Sequence, residues 1–105
     1  MVKIIYVCSP LRGDIENNRA KAAGYCSMVV AEGYIPFAPH LYFTEFLKDE
    51  IPIQRETGMK LGIDFIYRMN PEKDELWYFG EGISQGMQAE IDTAKTIGMK
   101  IKNIL

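Results

Sequence analysis

Short apolar runs alternate with longer helical patterns along this chain, and few folds accept that order. Lys3-Ile4-Ile5-Tyr6-Val7-Cys8 is almost wholly β-branched and aromatic, which is the pattern of a strand buried on both faces in a parallel sheet. Ser9-Pro10-Leu11-Arg12-Gly13 stops it. Asp14 then caps a predicted helix reaching about Glu32, with Ala20, Ala23, Ser27, Val30 and Ala31 turned to the sheet and Gly33 closing it. Tyr34-Ile35-Pro36-Phe37-Ala38 reads as a second strand, and its proline places it at an edge because proline donates no ladder hydrogen bond.

An aromatic segment holding His40, Tyr42, Phe43 and Phe46 follows. Pro52 suits the first turn of a helix running towards Met69, with Gly58 or Gly62 as points of bending. Leu76-Trp77-Tyr78-Phe79 is a third strand, and Ser84 opens a last long helix whose Met87, Ile91, Ala94 and Ile97 form one apolar stripe closed by Gly98. Lys100 to Leu105 makes a final strand. Strands joined through helices imply right-handed crossovers. The expected architecture is therefore α/β, a flavodoxin-like or Rossmann-like three-layer sandwich with a small, mainly parallel four-stranded sheet. The 105 residues make one domain.

Composition narrows the function classes. Both charge signs are mixed, and the net charge of −2 gives no basic footprint for nucleic acid. The longest apolar runs fall far short of the ~20 residues that span a bilayer, and the start of the chain has no secretory pattern, so neither a membrane nor export is expected and the cytoplasm is the expected compartment. Two cysteines, Cys8 and Cys26, are too few and too far apart for a zinc site or a Cys-x-x-Cys redox pair. No metal and no cofactor is expected.

In open parallel sheets the ligand crevice lies beyond the carboxyl ends of the strands, where strand order reverses. That rule selects the loops at residues 9–13, 38–46 and 80–86. Gly80-x-Gly82-x-x-x-Gly86 has one residue too many for a dinucleotide fingerprint, and no phosphate-loop NTPase motif occurs. Cys8 and Arg12 are too close for a cysteine-phosphatase loop. Arg12 nevertheless sits where a guanidinium fork would meet a phosphate or a ribose hydroxyl. Ser84 opens a helix whose unpaired N–H groups attract anions; a serine there is more often a plain helix cap than a ligand residue, and its hydroxyl can do both. Glu90 follows on the second turn, at the margin of the apolar stripe. Partial desolvation there raises a carboxyl pKa. His40 suits a hydrogen-bonded pocket wall better than a general base.

These residues carry a family resemblance. Tyr6-Val7-Cys8-Ser9-Pro10-Leu11-Arg12-Gly13, His40 after the second strand, and Ser84-x-Gly86-x-x-x-Glu90 after the third together resemble the nucleoside 2-deoxyribosyltransferase superfamily, including its 2'-deoxynucleoside 5'-phosphate N-hydrolase branch. The resemblance implies that Glu90 attacks the anomeric carbon of a deoxyribosyl group, that Tyr6 orients Glu90, and that Asp64 protonates or holds the leaving base, with Asp74 as the fallback. It implies that Cys8, Ser9, Pro10, Arg12 and Gly13 bind substrate from the first loop, His40 from the second, and Ser84, Gly86 and Met87 from the third. Members of this superfamily that transfer bases tend to carry an acidic residue where Ser84 stands, so serine implies a nucleotide 5'-phosphate and hydrolysis over base exchange. The implied partners are a small nucleotide and further copies of the chain in a dimer or larger assembly. Base exchange, a non-catalytic nucleotide-binding module and cleavage of NAD remain the competing expectations.

Overall fold

The computed structural model describes residues 2–104. Nine elements follow in order: β1 (Ile4–Cys8), α1 (Ile15–Ala31), β2 (Ile35–Phe37), a short α2 (Pro39–Tyr42), a 3-10 turn (Phe43–Glu45), α3 (Pro52–Arg68), β3 (Glu75–Phe79), α4 (Gln85–Thr96) and β4 (Lys100–Ile104). The sheet has the order β2-β1-β3-β4, and every pair in it is parallel. Pro36 lies on the edge strand, opposite Ile5. Of the expected last strand, Leu105 lies outside the described residues. No helix among the described residues is long and apolar enough to cross a membrane.

Strand alternation builds the two cores. Successive side chains on β1 point to opposite faces, so Tyr6 and Cys8 join one buried cluster with Ile66, Met87 and Ile91, while Ile5 and Val7 join another with Val29, Trp77 and Phe79. The first cluster lies under α3 and α4 and the second under α1. Tyr6, Cys8 and Glu90 therefore share one side of the sheet.

The helices begin and end much as the sequence indicates. The Asp14 carboxylate accepts from Asn17 N–H at 3.1 Å and caps α1. Ser84 caps α4 by accepting from Met87 N–H at 3.2 Å. Helix α3 runs unbroken through Gly58 and Gly62. The buried face of α1 differs from the expected one. Ala20, Ala23, Ser27, Val30 and Ala31 are exposed, and Ala22, Tyr25, Cys26 and Val29 face the sheet instead. Both stripes have helical spacing, but the second contains Tyr25, whose ring stacks on Phe79 at 4.3 Å between centroids. The larger apolar area of an aromatic decides the rotation.

Asp74 belongs to this scaffold. One carboxylate oxygen accepts from Ile4 N–H at 2.8 Å and the other from Asn70 N–H at 2.8 Å, at the amino-terminal edge of the sheet. That is the end opposite the ligand loops. Asp74→Ala should cost about 2–3 kcal/mol of stability in a urea titration by removing two bonds to a buried carboxylate. Ligand binding per folded molecule should not change.

Candidate active site

The strand order reverses between β1 and β3, because the chain leaves β1 for one side and returns on the other. A crevice of about 350 Å³ opens at their carboxyl ends. The first-strand loop supplies Pro10, Leu11 and Arg12 to its wall, the short α2 supplies Pro39 and His40, and α4 supplies Ser84, Gly86, Met87 and Glu90. Gly13 takes φ +100°, a conformation few other residues adopt, and turns the chain from that first loop into α1 without lining the crevice.

Glu90 forms the floor. It is buried at 8% exposure yet opens onto the crevice. The Tyr6 hydroxyl donates to its Oε2, and the Cys8 thiol lies 3.3 Å from its Oε1. Burial pushes the Glu90 carboxyl up to about 7, against the opposing pull of these two donors on the charged form. Burial, reinforced by the neighbouring carboxylate, raises both the Tyr6 hydroxyl and the Cys8 thiol, so both stay protonated. A carboxylate near its midpoint at neutral pH, gripped by two neutral donors, can act as a nucleophile or as a base.

Close backbone approach from α3 completes the floor. A Cβ at Gly62 would stand 2.7 Å from Tyr6 Oη and 3.5 Å from Glu90 Oε2. Glycine inside a helix costs up to about 1 kcal/mol relative to alanine, and here it makes room for the Tyr6–Glu90 pair.

His40 Nε2 lies 2.6 Å from the Ser9 carbonyl. A carbonyl only accepts, so this nitrogen carries the proton. Burial lowers the imidazole pKa and keeps the ring neutral. Its Nδ1 is therefore an acceptor, and the ring is part of the crevice wall.

Several expected residues lie elsewhere. Cys8 and Ser9 are fully enclosed behind the wall, and neither lines the crevice. They support Glu90 and His40 respectively. Asp64 is exposed on the far side of α3, in a shallow depression with Leu61, Tyr67 and Arg68. Helical geometry explains the correction. Gly58, Met59 and Ile63 turn towards the crevice, and the next residue is rotated ~100° away from it.

The structure also brings in residues that sequence reasoning missed. Lys48, Asp49, Gln54 and Arg55 line the opposite wall, with Phe43 and Leu47 as its apolar part. Arg12 Nε lies 3.8 Å from Asp49 Oδ2, so the first loop and the segment before α3 meet across the mouth. Gln54 Oε1 accepts from Lys48 N–H at 2.7 Å, which leaves its amide N–H groups available as donors. The one local signal was Arg55, a cation in the early turns of a helix, where the dipole disfavours it. No group of three or more His, Cys, Asp or Glu that could hold a metal occurs among the described residues.

Together these features define a small parallel α/β domain with a buried, polarised carboxylate at its switch-point crevice. The chain belongs to the family described as a domain of unknown function, DUF7768, which matches residues 3–104. Comparison with curated proteins and with solved structures gave no match.

Proposed function

We propose that this domain cleaves the N-glycosidic bond of deoxynucleoside 5'-monophosphates, with Glu90 as the nucleophile. The observation that carries the reading is Glu90 itself, buried, raised to about 7 and held by Tyr6 and Cys8 at the floor of an open crevice. In this mechanism one Glu90 oxygen forms a bond to the anomeric carbon as the bond to the base breaks, and the base leaves with the electron pair. Water then attacks the same carbon and frees Glu90, the proton it loses balancing the one the departing base takes up, and each step passes through an oxocarbenium-like transition state.

The rest of the crevice supports a nucleotide. A volume of about 350 Å³ lies within the range of small-molecule sites, ~300–1,000 Å³. The amino end of α4 offers the Gln85 and Gly86 N–H groups and the Ser84 hydroxyl to the 5'-phosphate, and Arg12 adds charge-assisted hydrogen bonds. His40 Nδ1 accepts from a sugar hydroxyl. Phe43 and Leu47 face the base, and Asp49 takes the part near the leaving base that Asp64 is too remote to play. Exposed Ile53, Met59 and Ile83, at or beside crevice positions, favour a homo-oligomer in which a second copy covers the mouth.

Incubation with the four deoxynucleoside monophosphates, with chromatographic detection of free base, tests the reading. Base release is the expected result. Binding without release would leave a nucleotide-binding module, and nicotinamide release from NAD in its place would move the substrate class. Ser84→Asp sharpens the test, because aspartate caps a helix as well as serine but repels a phosphate. The fold should be unchanged, and KM for the monophosphate should rise by about tenfold or more.

A further inference from the structure

Glu90 has two oxygens, and the structure gives each a different donor from the same strand. Tyr6 Oη holds Oε2 and Cys8 Sγ stands 3.3 Å from Oε1. The two side chains share a face because they are two residues apart on β1. Cys8 has no exposed surface and does not line the crevice, so it has no route to a ligand. Its remaining near neighbour is the Met87 carbonyl at 3.8 Å, a longer and weaker alternative. A thiol has one proton to give, and a carboxylate is the better acceptor.

We propose that Cys8 is a positioning residue for Glu90, its thiol donating to Oε1 while Tyr6 holds Oε2, so that the carboxylate is clamped at both oxygens in one orientation. With one donor gone, the carboxylate can turn about its terminal torsion, which is broad and soft for glutamate. With both present, its plane is fixed relative to the crevice. That this orientation serves attack on a sugar carbon rests on the glycosidase reading. The clamp itself does not.

The surroundings leave Cys8 and Tyr6 as the groups that act directly on Glu90. On α3, uncharged Gly62 comes close, since a Cβ there would stand 3.5 Å from Glu90 Oε2. Arg12 and His40 from the first wall, and Lys48, Asp49 and Arg55 from the opposite wall, face the same crevice. None of them makes an ion pair with Glu90 among the described residues. Burial keeps the thiol protonated and able to donate.

Two measurements on the free protein test the clamp without substrate. In the first, the Glu90 side-chain carboxyl carbon is titrated by NMR in wild type, Cys8→Ser and Cys8→Ala. Loss of a donor to the charged form should raise the midpoint in Cys8→Ala by roughly one pH unit, and the hydroxyl of Cys8→Ser should restore or lower it. An identical midpoint in wild type and Cys8→Ala would overturn the proposal. In the second, the S–H infrared stretch of Cys8 is followed in a Cys26→Ala background, where Cys8 keeps its natural partners. A lowered band that moves as Glu90 ionises is expected, and a free-thiol band at every pH would overturn the clamp even if Cys8→Ala did not fold. Base release is measured separately. Its absence in wild type would sink the glycosidase reading and leave both spectroscopic results standing.

Discussion

Glu90→Gln is expected to lower base release by about 10³-fold or more while nucleotide affinity stays within a few fold, because glutamine keeps the shape of the floor and loses the nucleophile. A matched pH profile accompanies this. With Glu90 raised to about 7, wild-type kcat/KM should climb through an acid limb centred near that pH as the carboxylate ionises. Neither Tyr6 nor Cys8 contributes a limb there, since burial holds both in the protonated form.

The same substitution should change stability in the opposite sense. Glu90 holds its proton in the folded state up to about 7, against an ordinary value of 4.5, so stability falls as pH rises between those values. Above that window the buried charge costs about 3 kcal/mol. Glu90→Gln should therefore melt higher than wild type at pH 8 and show no such advantage at pH 4. A thermal melt at the two pH values checks it. Loss of activity with gain of stability is the signature of a functional group kept at a cost to the fold.

Gly62→Ala is expected to have the second large effect. The added methyl would meet the Tyr6 hydroxyl at 2.7 Å. A flexible side-chain tip could swing away, but the Tyr6 ring has no exposed surface and packs against the stacked Phe37–Phe65 pair, at centroid distances of 5.8 and 6.2 Å. The strain should cost about 1–3 kcal/mol despite the better helix propensity of alanine. Separation of Tyr6 from Glu90 should lower turnover by about 10²-fold. Gly58→Ala, whose Cβ would make an ordinary 3.6 Å contact with Leu47 Cδ1, is the control on the same helix. Because Gly58 lines the crevice, the two variants are compared on stability alone: Gly58→Ala should retain the fold, and a comparable loss of stability in both would show that helix α3, not the Tyr6–Glu90 approach, is what responds.

The contrast between those two glycines shows where the sequence stops being readable. Strand β1, the proline on the edge strand and the stripe of α4 follow from period and composition, because each is decided by its own residues. Glu90 at the margin of that stripe was legible for the same reason, whereas its pairing with Tyr6 was implied only by the family resemblance, because period and composition say nothing of which residues meet across the fold. The rotation of α1 was not. Its two stripes match in spacing, and the stacking of Tyr25 on Phe79 of the distant strand β3 chooses between them. Asp64 and Asp49 illustrate the same limit at the site. One lies on a long helix and the other in an irregular segment, and which carboxylate enters the crevice depends on how α3 packs against α4, a relation between distant residues. Gly62 carried a sign of its role, as a costly residue in mid-helix, but not the identity of what approaches it.

Quenching the wild-type protein during turnover of a deoxynucleoside monophosphate and mapping its peptides by mass spectrometry asks the mechanism directly where the sugar goes. A deoxyribosyl 5-phosphate ester on the peptide containing Glu90, absent from Glu90→Gln, is the predicted result. Free base accumulating at full rate with the ester on no residue, or with Glu90→Gln as active as wild type, would contradict it.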